Sequence, residues 1–384
     1  MKLLLISPNY PFPQDKGNRI RVNNILQSLI DLGYEVDLIS IDERKLDNSF
    51  SSREFKPLAN FKVNKISATL RMIFAFVKNQ SLTTAFYNCP NFRNKILKEI
   101  KKNSYNKIFI ISSCLYDTIP MTLDNIYWDL IDTDSFKWKT LTQTSNVFKK
   151  IIYRREAKLI KNIEKQILSR AKRVFVVSNL EKEKLVNFKI DDFNKIHSLN
   201  IFRDIKKRNF NKIENQIIFT GDMSYLPNII AVKSFIEEIL PLVKLEIPQI
   251  KLIVAGRTPS LSLINKYYEV TFTGEVKDLY KLVEESSVYI LPLKDNIGFP
   301  TKILEAFLLE TPLVAYSKIK EIFEVQENLP LLFSNNNQEF ADNIIKLLKD
   351  KSLASDLAQN ALKYSNQYFT KERLMKNLKN SITS

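Results

Sequence analysis

Leu291-Pro-Leu-Lys-Asp-Asn-Ile-Gly298-Phe-Pro-Thr301-Lys302-Ile-Leu-Glu305-Ala-Phe-Leu-Leu-Glu-Thr-Pro-Leu-Val314 is the stretch that decides the fold. An apolar strand ends at its start, a loop carries Gly298, and a helix begins near Thr301. A second apolar run, 312–316, follows. Strand, helix and strand in this order predict a parallel α/β unit. A helix N-terminus offers free N–H groups and a positive dipole end, which suit a diphosphate. Lys302 and Glu305 are three apart and share one face of the first turn. A cation there can meet phosphate charge, and a carboxylate can accept hydrogen bonds from two sugar hydroxyls. An amphipathic helix with a capping-type Glu has the same spacing, so the segment alone leaves both readings open.

The same alternation extends in both directions. Short apolar runs at 2–7, 35–41, 107–112, 126–131 and 173–178 predict the strands of a first half. Those at 216–220, 251–255, 270–273, 288–291, 312–316 and 330–333 predict the strands of a second. Val22, Ile25, Leu26, Leu29 and Leu32 lie on one face of a first helix, which Gly33 closes as a C′ glycine. A chain of 384 residues exceeds the usual length of one domain. The expected organisation is an acceptor-side Rossmann-like domain over 1–201, a polar linker over 202–215 and a donor domain over 216–368. A C-terminal helix within 369–384 would pack back on the first domain. The expected fold class is α/β, two Rossmann-like parallel-sheet domains facing across a cleft, with ligands beyond the strand C-termini.

Composition removes several function classes. At 45% hydrophobic and 26% charged residues, the chain reads as soluble and globular. It holds no apolar stretch of the roughly 18 residues that a spanning helix needs. The apolar run at its start is too short for a signal peptide and reads as a buried first strand. Cys89 and Cys114 suggest no disulfide framework, which points to the cytoplasm. With His197 as the single histidine, neither a His/Cys zinc site nor a Ser-His-Asp hydrolase is expected. Neither G-x-G-x-x-G nor G-x-x-x-x-G-K-[ST] occurs, which sets aside dinucleotide oxidoreductases and P-loop enzymes.

The net charge is +16, and basic residues crowd the segment 149–173. That segment reads either as a solvated helix face or as a surface for anionic lipid. Nucleic acid is not expected, because no recognisable module or base-stacking set accompanies the charge. The six glycines are informative by their scarcity: Gly17, Gly33, Gly221, Gly256, Gly274 and Gly298. Gly33 is the helix cap. The other five follow strands, as ordinary turns or as places where backbone approaches a ligand.

With these residues in view, the segment ending in Lys302-Ile-Leu-Glu305-Ala resembles the donor signature of family-4 retaining glycosyltransferases. In their E-x7-E motif the first Glu falls on Ile297 and the second on Glu305. The chain fits the G-x-x-x-K-x-L-E-A variant found in sugar transferases of bacterial exopolysaccharide clusters. Further segments resemble the same branch: Phe219-Thr-Gly221-Asp-Met-Ser-Tyr-Leu-Pro-Asn228, Ile253-Val-Ala-Gly256-Arg257 and Thr273-Gly274-Glu275-Val276-Lys277-Asp278. So do Pro11-Phe-Pro-Gln-Asp-Lys16-Gly17-Asn-Arg19-Ile-Arg21 and Trp128-Asp129-Leu-Ile-Asp132-Thr-Asp134-Ser135-Phe-Lys-Trp138. Tyr153-Arg154-Arg155-Glu156 reads as the start of a long basic helix.

The resemblance implies a GT-B fold and transfer of a sugar, with retention, from a UDP- or GDP-sugar to a lipid-linked or saccharide acceptor in surface polysaccharide synthesis. The donor set is Gly17, Gly221, Arg257, Gly274, Val276, Gly298, Thr301, Lys302 and Glu305, with Glu305 on the ribose. Lys302 would stabilise the leaving diphosphate, and Asp132, at a strand end, would contact acceptor or sugar. A helix N-cap or turn role competes for Asp132, and a surface role for Arg257. Relatives often carry an N-domain His beside the sugar; here His197 falls elsewhere and reads as structural. No cofactor or essential metal is implied, since cations and backbone N–H groups can hold the diphosphate. The expected location is cytoplasmic, peripheral at the membrane face through 149–173. Two other readings stand beside it: an epimerase or hydrolase on this fold, acting without an acceptor, or an inactive binding protein, which Ile297 and the missing His suggest.

Overall fold

The computed structural model describes residues 1–42, 55–143, 146–188, 193–295 and 298–383. The chain divides into two compact units. One comprises Met1–Ile201, Ile297–Phe299 and Lys371–Ser384; the other comprises Phe202–Asn296 and Pro300–Thr370. Each unit is built on a parallel sheet.

The first sheet contains β1 (Lys2–Ser7), β2 (Glu35–Ile41), β3 (Phe55–Phe61), β4 (Lys107–Ile111), β5 (Ile126–Ile131), β6 (Arg173–Val176) and β7 (Ile196–Ser198). Their spatial order is β3-β2-β1-β4-β5-β6-β7. Leu3, Leu4, Leu5 and Ile6 are fully buried, as expected of a central parallel strand covered on both faces. Two strands escape the sequence reading, β3 and β7, and both lie at sheet edges. β3 is half-exposed, and Pro57 sits at its irregular register with β2. An edge strand can accommodate the missing N–H of proline. β7 has only three residues and carries His197, whose ring is 6.0 Å from that of Phe175.

The helix Gly17–Asp31 follows β1 and buries Val22, Ile25, Leu26 and Leu29. Gly33 closes it at φ +83° and donates to the Ile30 carbonyl. Arg21, on the same helix, is fully buried. It donates to Asp129 at 2.7 and 3.3 Å and to the carbonyls of Leu199 and Asn200. One guanidinium therefore joins the first helix, the end of β5 and the residues after β7. The long basic helix begins at Val147, six residues before the expected start at Tyr153, and runs to Arg170. The C-terminal helix Lys371–Thr383 buries Leu374, Leu378 and Ile382 in this unit, and the Ile382 carbonyl accepts from Lys107.

The second sheet contains β8 (Ile213–Thr220), β9 (Lys251–Ala255), β10 (Thr271–Gly274), β11 (Ser286–Leu291), β12 (Leu313–Tyr316) and β13 (Leu332–Ser334). Their order is β10-β9-β8-β11-β12-β13. All six answer to strands read from the sequence, although β8 starts three residues early. The polar stretch before it is held on this unit: Arg208 pairs with Asp278 at 2.6 Å, and its N–H donates to Glu284. In both sheets the order reverses beside the first strand, so each unit has a switch point at which the loops on either side splay apart.

Candidate functional site

In the second unit the switch point lies between β8 and β11. Gly221 follows β8, and the loop after β11 leads into the helix Lys302–Leu308. Lys302 projects back to this point. Its Nζ donates to Asn228 Oδ1 at 3.1 Å and lies 4.2 Å from the centre of the buried Phe219 ring. The Asn228 amide nitrogen donates to the Asp222 carbonyl at 2.9 Å, which fixes the amide with its oxygen towards the lysine. A Cβ added at Gly221 would meet Asn228 Nδ2 at 2.7 Å and Lys302 Nζ at 3.1 Å. The glycine is thus what lets the loop pass this pair.

Burial lowers the Lys302 ammonium to about 8, while Glu305 favours the charged form. Among the described residues no carboxylate lies within ion-pairing distance of it. A buried cation without a counter-charge is costly. An anion delivered to this point would be strongly favoured.

Glu305 is buried on the same helix, one turn further on. Its Oε1 is 3.8 Å from Arg203 Nη2, and Arg203 also donates to the Tyr280 hydroxyl. Tyr289, bonded to Thr220, is pushed well up by burial and then by the Glu305 charge. Lys302, Glu305, Arg203, Tyr280 and Tyr289 therefore form one polar group under the strand ends. Arg203, Tyr280 and Tyr289 were not singled out from the sequence. Arg203 fell in the stretch read as linker, and the two tyrosines read as ordinary strand and helix residues.

The strand-end glycines also converge. Gly256, at φ +144°, packs so tightly that a Cβ on it would overlap the Gly221 carbonyl. Its N–H donates to the Gly274 carbonyl at 3.2 Å, and Gly221 donates to Ala255 at 2.9 Å. Gly274 has φ +66° and open space where a side chain would stand. Arg257 lies 3.5 Å from Asp222. Val276 is partly buried in the loop before Asp278, which caps the helix Leu279–Glu285. Thr301 occupies the N-cap position of the Lys302 helix without a capping hydrogen bond from its side chain.

The remaining expected site residues lie in the first unit. Gly17 opens the helix after β1, at that sheet's own switch point; Lys16 precedes it without a side-chain cap. Asp132 follows β5, whose last residue, Ile131, is at φ +66°, a costly conformation for a β-branched residue. The Ile131 N–H donates to Asp129 at 2.9 Å, so the buried ion pair of Asp129 also holds this turn. Ser112, at the end of β4, has φ +75° and donates through its N–H to the Asp129 carbonyl. Strain is thus concentrated at adjoining strand ends. Burial first, then Glu181, pushes the Asp132 carboxyl up to about 7. The N-cap of the following helix is Thr133, not Asp132. Gly298, at φ +63°, clusters with this unit, and a Cβ on it would overlap the Asp132 carboxylate. Ile297 lies outside the described residues.

Residues 214–350 match a family model described as glycosyl transferases group 1. An uncharacterized 44.6 kDa protein in the cps region of Klebsiella pneumoniae is 21% identical over 412 residues, covering 98% of each chain. Sucrose-phosphate synthase from Thermosynechococcus elongatus superposes with a TM-score of 0.71 at 16% identity, over 99% of this chain and 97% of its own. WaaG, a glycosyltransferase involved in lipopolysaccharide biosynthesis, gives 0.67 at 12% identity, over 97% and 98%. Anabaena HepE, solved in complex with UDP, gives 0.62 at 12% identity over the whole of both chains. The fold is the GT-B fold, two Rossmann-like parallel-sheet domains.

Proposed function

We propose that this protein is a glycosyltransferase that moves a sugar from a nucleotide-diphosphate sugar to a lipid-linked or saccharide acceptor, with retention, in surface polysaccharide synthesis. The observation that carries the reading is Lys302: a desolvated ammonium at the switch point of the second sheet, aimed by Asn228 and, among the described residues, without a carboxylate partner. A donor diphosphate would supply the missing counter-charge. The match of 214–350 to glycosyl transferases group 1 covers most of this unit, and the HepE structure holds UDP. The Klebsiella relative lies in a cps region, which supports the polysaccharide context.

In this reaction the bond from the anomeric carbon to the diphosphate oxygen breaks as negative charge grows on the leaving group. Stabilising that charge with groups already in place lowers the barrier. Lys302 and the backbone N–H groups near Gly221 and Thr301 would serve it. The acceptor oxygen bonds to the same face of the sugar, and its proton passes to the departing phosphate. The reading needs no metal, because the cation is a side chain. Glu305 would accept from the ribose hydroxyls, and Arg257, Gly274 and Val276 would border the base and phosphates. Asp132 would contact acceptor or sugar. The site of action would be the cytoplasmic face of the membrane.

Thermal shift with UDP-, GDP-, ADP- and dTDP-sugars, on wild type and Glu305→Ala, tests the donor site. Donor at about 100 times its dissociation constant stabilises by roughly 2.7 kcal/mol. A shift with one nucleotide that disappears in the variant is expected. No shift with any of the four would remove the donor reading and leave a binding protein without nucleotide.

A further inference from the structure

The helix Lys65–Val77 is built the wrong way round for a soluble protein. Ala68 and Ala75 face inward, while Ile66, Leu70, Ile73, Phe74 and Val77 form one outward stripe at helical spacing. Ile66 is 78% exposed, Phe74 65% and Val77 79%. The stripe does not end with the helix. Arg155 donates to the carbonyls of Ala75, Phe76 and Gln80, and its guanidinium lies over the Phe76 ring at 4.8 Å. Val147 and Ile151 stand eight and four residues before Arg155, on the same face of their helix, and both are exposed together with Phe148.

We propose that this combined surface, the outward face of Lys65–Val77 and the first turn of Val147–Arg170, docks the protein onto an anionic lipid bilayer. Charge selects this occupant. Residues 55–98 contain eight Lys or Arg and no Asp or Glu; residues 135–155 contain six and none. Lys62, Lys65, Lys78, Lys149 and Arg154 are exposed around the stripe. A second copy would bring the same positive charge to the contact. Nucleic acid would satisfy the charge but leave the isoleucines and phenylalanines in water. An interfacial helix combines an apolar face with a basic border, the first entering the acyl boundary and the second meeting anionic headgroups. The surface differs from the one that the basic run 149–173 suggests. Arg155 and Arg170 in that run are spent on backbone carbonyls, and the apolar contribution comes from 65–77.

The inference sharpens the membrane part of the proposed function and is independent of the donor site. Flotation of the full chain with vesicles of phosphatidylglycerol and phosphatidylcholine, against phosphatidylcholine alone, tests it. Wild type should float with the anionic vesicles. Ile73→Ser with Phe74→Ser should lower the partition coefficient by about tenfold or more, since each buried apolar side chain contributes to interfacial binding. Lys65→Glu with Lys149→Glu should lower it and weaken its salt dependence. All these side chains are exposed, and the nucleotide thermal shift should be unchanged in both variants, which separates this result from failure of the donor reading. Wild type that stays with the lipid-free fraction, or an apolar variant that floats as wild type does, overturns the proposal. So does concentration-dependent self-association of wild type that the apolar variant abolishes while vesicle binding is absent.

Discussion

Lys302 Nζ donates to Asn228 Oδ1, and Asn228 is itself anchored by its donation to the Asp222 carbonyl. A neutral amide orients the ammonium without cancelling its charge. An Asp at position 228 would quench the cation; an Ala would let it swing.

The charge on Lys302 is therefore uncancelled by the amide and easily lost. Burial lowers its proton affinity to about 8, so in the free enzyme the cation is present below that pH and disappears above it. Under the proposed mechanism kcat/KM should fall above pH about 8, tending towards tenfold per pH unit. Lys302→Arg, permanently charged, should lower the plateau but remove this limb. A limb that persists in the Arg variant would assign it to another group. Lys302→Ala should lose about a hundredfold or more in kcat, the scale of removing one transition-state donor.

Gly221 and Gly256 should respond differently to the same substitution. At Gly221 a Cβ meets the end of a side chain, Asn228, which can move. Gly221→Ala should cost no more than about 1 kcal/mol in stability, yet displace Asn228 and Lys302 and diminish the donor thermal shift. At Gly256 the obstacle is the Gly221 carbonyl, and φ is +144°. Gly256→Ala should cost about 3 kcal/mol or more, because backbone must shift and the conformation is closed to L side chains. Chemical denaturation of both variants, with nucleotide shift measured beside it, checks the contrast. Equal stability losses would contradict it.

How far the sequence carried depends on what each segment faces. The four inner strands of the second sheet, β9, β8, β11 and β12, were legible because their apolar runs are largely buried. β3 was not, since Phe-Lys-Pro-Leu-Ala-Asn-Phe is half-solvated at an edge. The long basic helix was started late because Val147, Phe148 and Ile151 point outward and break the expected amphipathic pattern. Of the candidate site, Lys302, Glu305 and the strand-end glycines carried local signals in spacing and scarcity. Arg203 and Tyr280 carried none, because their meeting with Glu305 is a product of the fold. The quoted motifs also hid structural pairs. Arg21 and Asp129 lie in two different motifs, 108 residues apart, and only the folded chain shows them as one ion pair.

That pair should behave as a buried salt bridge does when broken from one side. Asp129 accepts from Arg21 and from the strained Ile131, and both it and Arg21 are fully buried. Asp129→Ala strands a guanidinium and frees the β5 turn, and should destabilise by about 3–5 kcal/mol. Arg21→Met combined with Asp129→Leu should recover much of that loss, because no uncompensated charge remains. Urea denaturation of the three proteins measures it. A double variant as unstable as Asp129→Ala alone would show that the backbone bonds of Arg21 to Leu199 and Asn200, rather than the ion pair, carry the stability.

Glu164 gives the chain a pH dependence of stability with a definite sign. One of its oxygens accepts from the Ser135 N–H at 3.0 Å, while the other is buried with no hydrogen-bond partner among the described residues. Burial raises its carboxyl to about 8, against a usual value near 4.5. Between these values the folded state holds a proton that the unfolded state has released. Stability from this group is therefore complete below the unfolded value and is lost as pH rises towards 8. Asp132, raised to about 7, acts in the same direction. Glu164→Gln keeps an oxygen for Ser135 and cannot ionise. Between pH 5 and 8 the wild type should lose at least about 1.4 kcal/mol more than this variant, the equivalent of one pKa unit. Denaturation midpoints of both proteins across that range provide the measurement. Parallel curves would mean that Glu164 is ionised in the fold, with its second oxygen satisfied by water.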